Sequence, residues 1–452
     1  MHNPLDIADL LKDELDERRE DGHDVAEIAP KVWAAITHLD GRSRETLLVE
    51  LEGTERLAEW SYVEPSTLDE ILAVLPPAPT VAEPELDTLD EKILGAWLGR
   101  CAGCNLGKPF ELWSRASIKS YMELADAYPI ADYAPKLDPL PPGMSLNPSW
   151  TNTTKGRIDG MARDDDTDYT ILGLHILETY GFSFGPEEVA REWLELLPFL
   201  QIYTAERAAM RNLIHGMPAS EAARYRNPYR QWIGAQIRAD MWGYVSPGDP
   251  ESAVQLAFQD ASLSHVQNGI YGELWVAALI AIALVETDMV RAVESSISYV
   301  PPKSRLAEAL KYVVEWHDLG LEWDAARDRM EQRWGELSPV HTVNNAAVVA
   351  AALLWGADDF TKTIGLAVSG GWDTDCNGAT AGSVFGAMHG VQALPAHWVE
   401  PLNDRIRSAL FGFDDSKISD LAGRTVRLAE ANLVRRAAQR ANEAKEETWS
   451  SR

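Results

Sequence analysis

Residues 95–107 read GAWLGRCAGCNLG, and residues 378–390 read GATAGSVFGAMHG. Gly95, Gly99, Gly103 and Gly107 recur every four residues, as do Gly378, Gly382, Gly386 and Gly390. On a helix that spacing strips one face of side chains, and each interior glycine costs about 1 kcal/mol relative to alanine. Such a stripe belongs where another backbone approaches closely. The two stripes suit each other, and they equally suit separate neighbours, so the spacing leaves that choice open. If the helices pair, their ends meet. Glu111, just past the first stripe, then comes to Asp373 and Asp375, just before the second.

Around these stripes the pattern is helical almost everywhere from Leu89 onward. DYTILGLHILETYG, PEEVAREWLELLPFL, GELWVAALIAIALVE and NNAAVVAAALLWG are longer than ordinary strands and rich in Ala, Leu, Glu and Trp. Period-2 alternation is scarce. The expected fold is all-α, a compact assembly of many helices packed by ridges and grooves. Trp97, Trp275 and Trp355 fall on apolar helical faces and read as core.

Upstream, VAEIAPKVWAAITHL and STLDEILAVL read as short helices, followed by PPAPTVAEPELD at 76–87 with four prolines. Proline fixes φ and disfavours helix in the residue before it, so this stretch reads as a semi-extended linker. We therefore expect a small helical N-terminal domain over 1–80 and a main domain over 86–452; a long loop within one domain is the alternative. Nothing in the first 80 residues looks like chemistry. A second irregular stretch, Tyr128–Arg163, is rich in Pro, Asp, Asn and Thr and leads into DDDTD. Long loops that end in such a cluster suggest function.

The net charge of −29 argues against nucleic acid or an anionic membrane as partner. Three cysteines, Cys101, Cys104 and Cys376, are too few for a disulfide scaffold. The start MHNPLDIADLLKDELDE lacks the apolar core of a signal peptide, and no apolar run reaches membrane-spanning length. The expectation is a soluble, cytoplasmic protein whose oligomeric state the sequence leaves open.

Chemistry concentrates in two acid clusters. RDDDTDYTILGLHIL (163–177) places Asp164, Asp165, Asp166 and Asp168 at the start of a helix, and GGWDTDCNGATAG (370–382) adds Asp373 and Asp375. One or two acids there are explained by capping and the helix dipole. Four within five positions repel one another beyond what capping needs, and a hard divalent cation is the simplest counter-charge. An EF-hand is excluded: counting from Asp164, position 6 is Tyr169 and position 12 is His175. Oxygen donors, with neighbouring threonine hydroxyls added, favour Mg²⁺ or Mn²⁺, with Ca²⁺ as a non-native occupant.

Taken together, GCNLGKPFE (103–111), DDDTDYT and GGWDTDCNGATAG resemble, in this order, the three signature segments of the ADP-ribosylglycohydrolase family. The resemblance spans roughly residues 89–400 and extends to HTVNNAAVVAAALLWG (341–356). It implies an all-α hydrolase that uses two divalent cations, Mg²⁺ or Mn²⁺, to cleave the anomeric bond of an ADP-ribosyl conjugate. By position, Asp165, Asp166, Asp373 and Asp375 match the family's metal ligands, and Asp164 stands where the family has a hydroxyl residue. Glu111 matches the glutamate that positions or deprotonates the attacking water. Asn105 and Gly107, in the same segment, become candidate substrate contacts. The family's Asp in the first motif is Cys104 here and its last threonine is Cys376, a soft atom expected to stand apart from a hard ion; Trp372 splits the usual GGD.

Other readings carry their own residues. Cys101 and Cys104 form a C-x-x-C, but a redox motif needs a βαβ setting and these surroundings are helical. A zinc site from the three cysteines and a histidine is an alternative. His265, before an apolar helix, is either a cap or core group or a substrate contact. Trp372, beside the acids, is the candidate for stacking on an adenine. The replaced motif positions also admit a hydrolase of nucleosides or small O-/N-glycosides. A non-catalytic binding protein is a third reading, against which stand the retained, mutually repelling acids.

Overall fold

The computed structural model describes the backbone of residues 2–37 and 41–450 and the side chains of residues 2–37 and 43–440. The described residues are helical with no sheet; their β-type pairing is limited to isolated bridges such as Trp232 with His341. Eight helices frame the acid clusters and the N-terminal segment: α1 (Ile7–Glu20), α2 (Leu86–Gly107), α3 (Asp165–Tyr180), α4 (Gln267–Ala283), α5 (Thr342–Gly356), α6 (Phe360–Ser369), α7 (Thr374–His389) and α8 (Ile418–Ser450).

The glycine stripes of α2 and α7 face each other. A Cβ built on Gly99 would lie well inside 3.0 Å of the Gly382 carbonyl, one on Gly103 of the Gly378 carbonyl, and one on Gly95 of Gly386. Each contact is returned from the other side, so the two helices run antiparallel with their backbones touching. Gly107 closes the series against Thr374, whose hydroxyl donates to the Gly107 carbonyl at 2.8 Å. The alternative of separate neighbours does not hold. Ala, Leu or Val on either stripe would have forced the axes apart and the acid-bearing ends with them.

Around this pair the other helices of the main body form a large apolar core. α4 is buried along its whole length after Gln267, which is why its sequence shows no polar face. α5 and α6 pack in succession against α7, while α8 covers α2, where the Trp97 indole donates to Thr425. Trp97 and Trp275 are fully buried, and Trp355 is partly so, its indole donating to the Leu321 carbonyl.

The N-terminal segment has an apolar cluster of its own, including Leu11, Leu15, Val32, Leu48 and Leu51. Of the two helices expected there, the first appears as Ala29–Thr37, its last expected residues lying outside the described ones, and the second as Leu68–Val74. α1 meets the main body through charge. Glu14 pairs with Arg230, Glu17 accepts from Gln231, and Arg305 gathers Asp21 and Glu64. No described helix is long and apolar enough to cross a membrane.

Candidate active site

The antiparallel glycine pair delivers the end of α2 and the start of α7 to one place, and α3 brings its own N-terminus to the same spot. Arg100, fully buried on α2, makes the third connection. Its guanidinium donates to the Asp166 carbonyl at 2.9 and 2.7 Å, ion-pairs with the Asp166 carboxylate at 3.3 Å and with Asp240 at 2.7 Å. It thereby fixes the first turn of α3 and aims Asp166.

Asp164 is the N-cap of α3, its Oδ1 accepting from the Asp166 amide at 3.0 Å, so the capping role exists alongside any other. Its second oxygen touches the ammonium of Lys108. Lys108 follows the last glycine of α2 and is turned inward on a short Lys108–Phe110 3₁₀ turn. The same ammonium donates to Asp375 at 2.9 Å and lies 3.4 Å from Glu111. Burial works against its charge, yet Asp164, Asp375 and Glu111 push the amine well above the usual lysine range. In return, and against its own burial, Lys108 holds Asp164 below the usual carboxylate value.

Glu111 stands at the mouth, its side chain 30% exposed beside the nearly closed acids. Asn147, from the long 128–163 stretch, donates to its carboxylate at 2.7 Å and anchors its own backbone on the Pro109 carbonyl. The Asp375 charge first, and burial second, raise the Glu111 carboxyl to about 7, with Lys108 pulling the other way. Asp165, the first residue of α3, is partly exposed. Asp166 and Asp373 are buried and pushed well above the ordinary range, by burial and then by Asp164 and Asp375 respectively. Asp168 leaves the group: Arg163, Ser408 and the Ala409 amide use both its oxygens, making it a tie between α3 and the chain before α8.

Two sets of side chains could hold a metal ion, Cys104 with Asp164 and Asp166, and Asp166 with Asp375 and Cys376; within each, the donor atoms lie within 4.8 Å of one another. Oδ1 of Asp375 is buried and has no hydrogen-bond partner, as a ligand atom awaiting a cation would. The sulfurs of Cys104 and Cys376 lie among the converging atoms, and both thiols are pushed well above their ordinary pKa by burial and the surrounding acids. The hydroxyls of Thr167 and Thr374 donate to the carbonyls of Asp164 and Gly107, which uses their protons and leaves their lone pairs. Cys101 lies outside both sets, its thiol raised to about 12 by burial.

Several candidates have other employment. The Asn105 amide donates to the Gly160 carbonyl and accepts from the Ala162 amide, both at 3.2 Å, which spends it on holding the loop before α3. Gly107 serves the helix contact. His265 is buried against Ser264 at 2.8 Å, with Glu206 4.0 Å away, and burial and Arg238 keep it neutral. None of these three neighbours is an acid of the site. Trp372 does lie at the site, in a turn where Gly371 and Trp372 both take positive φ, 77° and 65°. That strained backbone is fastened by Trp372 N–H to the Trp113 carbonyl and by Leu112 N–H to the Trp372 carbonyl, next to Glu111. Arg327 covers the indole at 3.9 Å from its centroid, leaving the residue 8% exposed. At the start of α7, Asn345 of α5 accepts from the Asp373 amide at 3.1 Å and from Asn377 at 2.8 Å.

Lys108, Arg100, Asn147 and Asn345 carry no signal in the sequence that singles them out. Only the length and composition of the 128–163 stretch signalled that it reaches the acids.

Against known proteins, no curated sequence matches. A solved structure titled "ADP-ribosylglycohydrolase-related protein complex" is similar at 20% identity and a TM-score of 0.46, over 76% of this chain and 99% of that one. The family model for ADP-ribosylglycohydrolase matches residues 85–438, from the first turn of α2 into α8, and so takes in every element that meets at the acids. On that match the chain belongs to the ADP-ribosylglycohydrolase family.

Proposed function

We propose that this chain is a divalent-cation-dependent glycohydrolase acting on the anomeric bond of an ADP-ribosyl or related ribosyl conjugate. The observation that carries the reading is Glu111, a partly exposed carboxylate whose proton affinity is raised to about 7, poised beside buried acids and an unpartnered Asp375 oxygen. A general base works best with a pKa near the operating pH. Mg²⁺ or Mn²⁺ held by Asp166 and Asp375 would supply Lewis-acid polarisation and a grip on ribose hydroxyls. Glu111 takes the proton from the attacking water as the ribosyl carbon becomes oxocarbenium-like. Asn147 and Lys108 fix the orientation of that carboxylate, leaving its free edge to solvent. Arg100 keeps Asp166 aimed inward throughout.

A second reading, hydrolysis of a nucleoside or small riboside, draws on Trp372. With Arg327 over the indole, little ring remains for an adenine to stack upon. Mass-spectrometric product release from ADP-ribosylated arginine and serine peptides, free ADP-ribose conjugates and simple ribosides, with Mn²⁺ and again with a chelator, separates the two. Chelator-sensitive release of ADP-ribose supports the first reading; release from simple ribosides alone supports the second. No release from any of them, with Mn²⁺ bound, overturns both.

A further inference from the structure

The family resemblance implies two divalent cations, and the residues of this chain do not fit two. Both candidate donor sets share Asp166, but they differ in what already occupies them. The Asp166–Asp375–Cys376 set includes a buried carboxylate oxygen with no partner. Arg100 pairs with the Asp166 that both sets share, and Lys108 touches one oxygen of Asp164 and one of Asp375. The second Asp164 oxygen is spent on capping α3, whereas Oδ1 of Asp375 is left without a hydrogen-bond partner. Lys108 reaches its place from a turn fixed by Pro109, is nearly enclosed, and bridges three carboxylates from three parts of the chain, Glu111, Asp164 and Asp375.

We propose that the Lys108 ammonium permanently takes the place of one of the two cations, so that this chain binds a single divalent ion, at Asp166 and Asp375. The argument is one of space and charge. A divalent ion needs carboxylate oxygens at roughly 2.0–2.6 Å. An ion bound to Asp164 would sit against an ammonium already in contact with the same oxygen, with no anion between them. Motif composition points the same way: Cys104 stands where the first family motif has an acid, so the set beside Lys108 carries one negative charge fewer. The lysine is thus a fixed monovalent counter-charge, bringing the Asp164 and Glu111 carboxylates together without a second ion.

The inference rests on the cation-dependent reading of the site, but its test reads no turnover. Full-length protein stripped with chelator would be titrated with Mn²⁺ and followed by electron paramagnetic resonance and native mass spectrometry. The wild type is expected to take up one Mn²⁺ per chain, with the six-line spectrum of an isolated ion. Lys108→Met, which keeps the length and removes the charge, is expected to take up a second ion and show spin coupling between the two; Lys108→Gln serves if that variant fails to fold. Two coupled ions in the wild type, no ion at all, or an unchanged count in the folded variants would overturn the proposal. If the wild type binds one ion and yet cleaves no substrate, the count stands and only the glycohydrolase reading falls.

Discussion

Glu111 differs from the acids behind it in having a solvent-facing edge while Asn147 and Lys108 both hold its other oxygen, Oε2. Replacing its carboxylate by an amide of the same shape keeps the contact with Asn147 but removes the proton acceptor. Glu111→Gln is therefore expected to retain Mn²⁺ binding and to lose turnover by roughly 10²–10⁴-fold, the usual worth of a general base. Steady-state kinetics beside a Mn²⁺ titration checks this, and unchanged turnover removes Glu111 from the chemistry. At this scale the sequence was readable in its acids, whose mutual repulsion demanded a counter-charge. It was not readable in Lys108, because a lone lysine next to a proline looks like any solvated lysine. Its environment is assembled from residues 56 and 267 positions downstream, Asp164 and Asp375.

Helices α2 and α7 show a legible feature whose meaning was undecided. A four-residue glycine period announced a bare face, but only the antiparallel register shows that one bare face meets the other. The substitution Gly103→Ala places a methyl group against the Gly378 carbonyl, a rigid backbone atom that cannot rotate away. Overpacking of this kind costs about 1–3 kcal/mol or more. Gly423→Ala makes the same change inside α8, where a Cβ meets only the distant, flexible end of Arg427 at 3.9 Å. There the intrinsic helix preference dominates and the variant gains about 0.5–1 kcal/mol. Urea unfolding of the two variants should move the midpoint in opposite directions. Equal shifts would mean that the stripe is not a backbone contact. The Tyr128–Arg163 stretch lacks any period, so its contribution of Asn147 to Glu111 was legible only as a suspicion about its length.

Across the whole molecule, the N-terminal segment and the main body meet along a charged seam, and that seam contains a histidine that must stay neutral. His341 caps α5 through Nδ1, which accepts from the Val343 amide at 3.1 Å, and it is completely buried. Burial first, and then the charge of Arg305, lower its pKa from 6.5 to about 3, with Asp21 of the N-terminal segment opposing. In the unfolded chain the same ring takes up a proton near pH 6.5. Between those two values the unfolded state binds one proton more than the folded state. The folded state's advantage is complete above pH 6.5 and shrinks by about 1.4 kcal/mol per pH unit as pH falls toward 3. At pH 5 this residue alone removes roughly 2 kcal/mol. Asparagine caps helices well and does not titrate, so His341→Asn isolates the effect from every other buried group. Chemical denaturation at pH 7 and pH 5 should show the variant losing about 2 kcal/mol less than the wild type over that interval, whatever its stability at pH 7. The same loss in both proteins would show that His341 already carries a proton in the folded state, and that its Nδ1 does not cap the helix that positions Asn345 beneath Asp373.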